Sequence, residues 1–424
     1  MKDSKYLSRP TQKQSTYLIL LISIATWAIY ILYNIKRVFY FQIIEMFSIT
    51  NEEFGILLSI CALACTLSYL PGGFLGDKVP IRYLTSISLG CSGLILLWIA
   101  NGTSYTMLKI AFFLYGTTTG LLFWPCSYKL IRLSGKNDHD YNRNIGWSYC
   151  FSNLIATVVT PLLVIIAKIT QTEFQSFFFS CALINFFISG LCLFTIPRFD
   201  NELPPQKSNL TVFFKQSFIL FRNPCIYWGA ATLFFIYSIY TLQYLIPIYL
   251  KSTFGASLSF ITLYGIIQSY GIKIFSTPTI GHLAHHFKTS IVIIGIAVIA
   301  VIFSLTLAVL PQEKSGLLIV TILTLLLYFL ITGSYAISSD LLLEAHIMKT
   351  QFASAIGIFS LIGFLPDIIY PPLFGYLLDH YQKYVYGYTN SILVFFSIMT
   401  IISILQFRKS LQNKRFHHSA FIFK

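Results

Sequence analysis

Two of the long apolar segments in this chain end in the same short pattern, at matching places in its two halves. The first copy is Gly73-Phe74-Leu75-Gly76-Asp77-Lys78, closing on Arg82, and the second is Gly281-His282-Leu283-Ala284-His285-His286, followed by Lys288. Apolar runs recur along the rest of the chain. A helix crossing hydrocarbon needs roughly 20 apolar residues and satisfies its backbone polar groups internally, so 424 residues hold about twelve such helices joined by short loops. With 56% hydrophobic and 10% charged residues, the chain cannot clothe a water-soluble domain of this length. The expected fold is all-α and integral to a membrane, with 12 transmembrane helices in two six-helix bundles related by pseudo-symmetry.

The net charge of +14 does not point to nucleic acid, because Lys and Arg of a membrane protein gather on cytoplasmic loops and beside anionic lipid. Lys2, Lys5, Arg9 and Lys13 precede span one, Lys78 and Arg82 follow span two, and Lys129, Arg132, Lys136 and Arg143 surround the loop after span four. Arg198, Lys207, Lys215 and Arg222, then Lys288 and Lys349, then Arg408, Lys409, Lys414 and Arg415 fall on the same side. Both termini are therefore expected to be cytoplasmic. The apolar stretch from Thr16 onward is too long for a signal-peptide core and has no small-residue cleavage site after it, so it is expected to remain as the first span. Short loops and the lack of targeting additions favour a bacterial cytoplasmic (inner) membrane. The eight cysteines lie mostly inside apolar runs, without metal or redox spacing, and read as small packing residues.

The longest polar interruption runs from Arg198 to Arg222 and contains the pair Pro204-Pro205. It divides the chain into an expected first bundle at residues 1–197, a cytoplasmic linker at 198–221, a second bundle at 222–407 and a basic cytoplasmic tail at 408–424 suited to anionic lipid. Pro161-Leu162 in span five and Pro372-Leu373 in span eleven extend the repeat. Internal repeats of this type put the substrate site near the bilayer midplane at the repeat interface, with transport by rocking of one half against the other.

On these residues the chain resembles the major facilitator superfamily, over essentially its whole length. That family's pattern after the second span, Gly-x-Leu-x-Asp-basic-x-Gly-basic-basic, is matched by Gly73, Leu75, Asp77, Lys78 and Arg82. Pro80 stands where a second Gly is usual, and Ile81 replaces a basic residue. The resemblance implies a gating role for Asp77, Lys78 and Arg82 on the segment opened by Gly73; the alternative is that they cap helices and fix topology. A narrower resemblance is to the organophosphate and sugar-phosphate permease branch. Tyr33-Asn34-Ile35-Lys36-Arg37-Val38-Phe39 is similar to its span-one pattern with the two basic residues exchanged, and Pro247-Ile248-Tyr249-Leu250-Lys251 is similar to its span seven. The branch grips phosphate with one Arg from each of these spans. Here the span-seven Arg is absent, its place being taken by the stretch from Ile239 to Gln243.

Ionisable groups deep in lipid cost a few kcal/mol even on permissive scales, roughly 2.5–3.5 for Lys, Arg or Asp, and so face a watery pathway or a partner. Lys36 and Arg37 lie inside the long first span. Tyr33, Lys36, Arg37 and Tyr40 share a broad helical face by i, i+3, i+4 and i+7 spacing, and a cavity lined that way attracts an anion; the alternative is that either cation snorkels to headgroups. Lys273 lies about 12 Å along its helix from the Gly281 turn. Tyr270, Lys273 and Thr277 fall on one face, with Tyr264 and Gln268 on an adjoining stripe. Lys273 either contacts substrate, replacing the missing span-seven Arg, or pairs with Asp367 of span eleven. Asp367, after Pro366, is the candidate for proton coupling, against the alternatives of a helix cap or a fixed partner of Lys273. Asp340 and Glu344 read as gate or topology residues.

Trp124, beside Pro125 in a broken span four, and Tyr240, Gln243 and Tyr244 in span seven are further candidates for the cavity, since tyrosine presents a hydroxyl on an apolar body. No P-loop, catalytic constellation or metal-ligand spacing occurs, so neither an enzyme nor a resident metal or cofactor is expected. The His285-His286 and His417-His418 pairs read as solvated interfacial residues. The expected function is alternating-access secondary transport of a small polar organic solute, an anion such as a phosphorylated metabolite. The alternatives are proton-coupled symport of a sugar, nucleoside or amino acid, and a non-transporting sensor of the same fold. The implied partners are a small-molecule substrate, the lipid bilayer, and protons or a counter-transported anion, without nucleic acid, in a monomer.

Overall fold

The computed structural model describes residues 10–102, 104–135, 138–169, 175–199, 223–310, 313–345, 347 and 352–422. Among them are helices and their connecting turns, and no β-strand. Among the described residues ten helices are long and apolar enough to cross a membrane. Asn51–Tyr69, Ile81–Ala100, Tyr105–Ser134 and Gln175–Thr195 come first; Pro224–Phe254, Leu258–His286, Thr289–Val309, Leu317–Ile337, Ile358–Tyr381 and Thr389–Asn413 follow. The bent pair Gln12–Ile29 and Ile31–Val38, meeting at 53°, makes an eleventh when the two helices are taken as one span. In the place of the expected fifth span stands the 32-residue helix Asp138–Ile169. The expected linker at 198–221 falls, apart from Arg198 and Phe199, outside the described residues, as do Lys2, Lys5, Arg9 and Lys349.

The chain forms two compact units, Met1–Lys207 with Gly265–Ile274, and Ser208–Tyr264 with Phe275–Lys424. In the first unit, local chemistry sets the helix starts. Thr11 with Gln14, and Thr50 with Glu53, form capping boxes in which each side chain satisfies the other's backbone N–H. Between these starts Ser48 adopts a left-handed conformation, φ 49°, that closes the helix Tyr40–Phe47.

Packing within this unit follows rules for helices in lipid, where close approach and interhelical hydrogen bonds replace the hydrophobic drive. Gly116 and Gly120 sit four apart on one face of span four, and a Cβ at either would collide with the carbonyl oxygen of Cys61 or Cys65 in span two. Spans three and six are joined by a reciprocal serine pair: Ser86 Oγ donates to the Ser189 carbonyl at 2.9 Å and Ser189 Oγ to the Ser86 carbonyl at 2.8 Å. All eight cysteines are free thiols, and six of them are buried, as befits packing residues.

In the second unit, span seven, Pro224–Phe254, is the most enclosed of the ten, with 89% of its apolar window buried. It breaks after Leu242 because Pro247 cannot donate a backbone hydrogen bond to Gln243; Ile246 N–H instead reaches the Gln243 carbonyl at 3.3 Å. Span eleven breaks in the same way, between Phe352–Gly363 and the helix that starts at Pro366, where Pro is suited to the first helical position. Thr232 Oγ1 donates to Ser403 Oγ at 3.0 Å and Tyr264 Oη to Thr324 Oγ1 at 2.9 Å. Large apolar side chains are exposed in both units, Phe187 and Phe194 in the first and Val309 and Leu318 in the second, the distribution of a lipid-facing surface.

Candidate functional site

Span one positions the basic pair through two breaks. At the first, Tyr30, two carbonyls receive donors from other helices: Tyr115 Oη donates to the Ile29 carbonyl at 2.7 Å and Asn185 Nδ2 to that of Ala28 at 3.3 Å. Side chains inserted in this way bend a helix and repair its polar groups inside a membrane. The second break is Phe39, with φ −127° and ψ 29°. Tyr33, Lys36 and Arg37 therefore share the short helix Ile31–Val38, whereas Tyr40 opens the next one and its hydroxyl donates to Asn51 Oδ1 at 2.7 Å. The single face expected for all four is thus interrupted before Tyr40.

Lys36 and Arg37 are buried, at 6% and 2% exposure. Gly265 packs directly on the Arg37 carbonyl, where a Cβ would collide, so the middle of span eight lies against this segment within the first unit. That stretch contains a π turn, Ile267–Gly271. Gln268 and Tyr270 are buried in it, and Lys273, half-buried, comes next. A π turn holds one residue more than an α turn, which rotates the downstream residues by about 100°. Tyr264, before the turn, and Lys273, after it, are therefore offset from the register that uninterrupted α spacing predicts.

Span four carries a matching π turn, Thr119–Phe123, before Trp124. Here the first unit gathers aromatics: the Trp124 ring lies 6.1 Å from Tyr30, 5.7 Å from Tyr69 and 4.8 Å from Tyr128. Tyr33 stands 5.6 Å from Tyr30, and the Tyr128 and Tyr149 hydroxyls are 2.6 Å apart. All of these but Tyr149 are half-buried. Trp124 was legible from its neighbour Pro125; Tyr30, Tyr69 and Tyr128 carried no signal beyond being aromatic.

The second unit centres on Asp367. Tyr237 Oη donates to its Oδ2 at 2.6 Å and Thr241 Oγ1 to its Oδ1 at 3.1 Å. The carboxylate lies in the first turn of the helix beginning at Pro366, where the helix dipole favours negative charge. Beside it the rings of Tyr237, Tyr240 and Tyr335 stack, with 5.2 Å between the first pair and 5.4 Å between the second, and Tyr328 lies 5.8 Å from Tyr240. Gln243 and Tyr244 are buried at the break in span seven. Tyr237 and Thr241, two turns and one turn before Tyr244, were the residues that sequence reasoning missed. Lys273 belongs to the first unit and Asp367 to the second.

The ends of the spans show how the repeated pattern is used. Gly73, Asp77 and Lys78 end the helix Asn51–Lys78; their side chains lie outside the described residues. Lys129 of span four donates to the Gly76 carbonyl at 2.6 Å, a cation on a helix C-terminus. Arg82 lies over the Tyr83 ring, 4.5 Å from its centroid, and Arg198 donates to the Tyr83 hydroxyl at 3.1 Å. In the second unit Glu344 accepts from Ser290 N–H at 3.0 Å and Ser290 Oγ at 2.8 Å, closing the start of Thr289–Val309. Burial raises the carboxyl pKa of Asp340 above its ordinary value. Among the described residues no three His, Cys, Asp or Glu converge to hold a metal.

Comparison with known proteins agrees with this architecture. The chain is 24% identical to the inner membrane protein YihN of Escherichia coli K12 over 378 residues, covering 87% of this chain and 89% of that protein. It is also 24% identical to the inner membrane protein YqcE of the same organism, over 81% of this chain and 83% of the other. Among solved structures, the nucleoside transporter NupG superposes with a TM-score of 0.69 at 16% identity, covering 93% of this chain and 99% of that one. A bacterial homologue of the human lysosomal transporter Spinster, in an inward-facing and unoccupied conformation, superposes at 0.67 and 12% identity, covering 95% and 98%. Residues 17–365 match the Major Facilitator Superfamily, and the chain, a multi-pass membrane protein and not an enzyme, belongs to that superfamily of transporters.

Proposed function

We propose that this transporter carries a small polar organic anion, such as a phosphorylated metabolite, by alternating access in a bacterial inner membrane, as a monomer with both termini cytoplasmic. The observation that carries the reading is the burial of Lys36 and Arg37, at 6% and 2% exposure, inside a span. Charge held there is expensive and is retained where it meets a ligand or partner. Gln268 and Lys273 sit in the same compact unit and add a donor amide and a third cation. An arginine fork suits a phosphate or carboxylate better than a lysine point charge does, so Arg37 is the principal anion ligand. In the first unit Tyr33 and Trp124 add aromatic surface, and in the second unit Tyr240, Gln243 and Tyr244 offer rings, hydroxyls and an amide to the substrate. Asp77, Lys78 and Arg82 gate the cycle. The names of YihN and YqcE, both inner membrane proteins, support the location.

A second reading, proton-coupled symport of a neutral or zwitterionic nutrient, is favoured by Asp367, which is held by Tyr237 and Thr241 next to a tyrosine stack. NupG, a nucleoside transporter of similar fold, fits that reading. Counterflow in proteoliposomes separates the two. Exchange of labelled organic phosphates or carboxylates, lost in Arg37→Ala, supports the anion reading. Uptake confined to nucleosides, sugars or amino acids, driven by a pH gradient, lost in Asp367→Asn and retained in Arg37→Ala, overturns it.

A further inference from the structure

The second copy of the repeated pattern carries His285 and His286 where the first has Asp77 and Lys78, and His282 where the first has Phe74. All three are exposed at the end of the helix Ile272–His286. Helical spacing pairs His282 with His286, not the sequence neighbours His285 and His286, because residues four apart lie over one another. Their rings stand 4.6 Å apart, and the two Nε2 atoms are 3.2 Å apart, one imidazole donating to the other. His285 is offset, its ring 5.7 Å from that of His286.

We propose that His282 and His286 form a two-imidazole site for a divalent first-row transition metal. The argument is one of bite. Imidazole nitrogens bind such metals at about 2.0–2.1 Å, so two of them on one metal lie about 2.9 Å apart at a right angle and about 3.4 Å apart at a tetrahedral angle. The separation of 3.2 Å falls between these limits. The metal takes the place of the proton between the two rings; through solvent that proton passes from Nε2 to Nδ1 of the same ring, so both imidazoles stay neutral and each offers an Nε2 lone pair, and the exposed positions around the site take water. Imidazole pairs suit Cu2+, Ni2+ and Zn2+, with Cu2+ bound most tightly by the usual order of stabilities. Occupancy clips residue i to residue i+4 and so stiffens the last turn of span eight.

The test is calorimetric titration of the full-length protein in detergent, freed of any affinity tag, with CuCl2 and then NiCl2, together with electron paramagnetic resonance of the Cu2+ form. The expected result is one saturable Cu2+ site whose spectrum shows two coordinating nitrogens. His282→Ala or His286→Ala should weaken it by at least the roughly 10–100-fold typical of losing an outer-shell partner. His285→Ala and the double variant His417→Ala/His418→Ala should leave it unchanged. Absence of a saturable site overturns the proposal, as does a site indifferent to His282→Ala and His286→Ala or one removed by His285→Ala. Each histidine of the pair is exposed, so these variants are expected to fold.

Discussion

Tyr115→Phe removes one oxygen from the side chain that holds the bend in span one. The hydroxyl donates to the Ile29 carbonyl at 2.7 Å from a residue 0% exposed, and Phe keeps the ring volume, so no cavity opens. The loss is that of one buried hydrogen bond, with the Ile29 carbonyl deprived of this donor. Soluble proteins put such a loss at about 1–3 kcal/mol when the partner stays unsatisfied, while interhelical bonds in lipid average about 0.6 and reach about 1.7 kcal/mol. About 1 kcal/mol is therefore expected. In a unit of roughly 200 residues that lowers the thermal midpoint by about 2–4 °C, measurable by unfolding of the purified protein in detergent. The same bond sets the direction of the helix carrying Lys36 and Arg37, so anion affinity should fall as well. Asn185→Ala, which removes the donor to Ala28, should act in the same direction. A Tyr115→Phe variant with unchanged midpoint and unchanged affinity would refute the claim that this bond holds the bend.

The geometry sets three further outcomes. Gly120→Val drives a side chain into the Cys65 carbonyl and should cost upwards of about 2 kcal/mol by overpacking, seen as loss of a monodisperse peak or a markedly lowered midpoint; a wild-type midpoint would contradict the packing of spans two and four. Burial raises the Asp340 carboxyl pKa, so its contribution is present at low pH and lost as pH rises through the raised value. Asp340→Asn should match wild type well below the ordinary aspartate pKa of about 3.9 and exceed it in thermal midpoint at neutral pH, and equal midpoints there would remove the burial argument. If Tyr237 positions Asp367, Tyr237→Phe should reduce transport and shift its pH profile while Tyr370→Phe, whose hydroxyl accepts from Ser238, leaves the profile in place.

The spans were legible because a bilayer demands long apolar helices, and the repeat was legible because its Gly-x-Leu pattern is short and ungapped. The count of twelve rests on length and composition, and the 32-residue helix Asp138–Ile169 occupies the place of the expected fifth span. The breaks divide by cause. Those at Pro247 and Pro366 arise from missing N–H groups and are written locally, whereas the bend at Tyr30 depends on donors 86 and 157 residues away, Tyr115 and Asn185. The π turns at Thr119–Phe123 and Ile267–Gly271 shift helical register without a proline within them, and the second of them offsets Tyr264 from Lys273; at Tyr40 the break at Phe39 interrupts the predicted face. Asp367 was recognisable as a carboxylate in lipid, but its partners Tyr237 and Thr241 lie 130 and 126 residues away, and only the relative rotation of two helices selects Tyr237 from 27 tyrosines.

The most direct test of the central claim is a binding titration of the detergent-purified protein against matched pairs of ligands, each a phosphorylated metabolite and its neutral parent, on wild type, Arg37→Ala and Lys273→Ala. The account predicts that only the anionic member stabilises the wild type and that Arg37→Ala abolishes the effect while the protein stays folded. Stabilisation by the neutral parents that survives Arg37→Ala would contradict it.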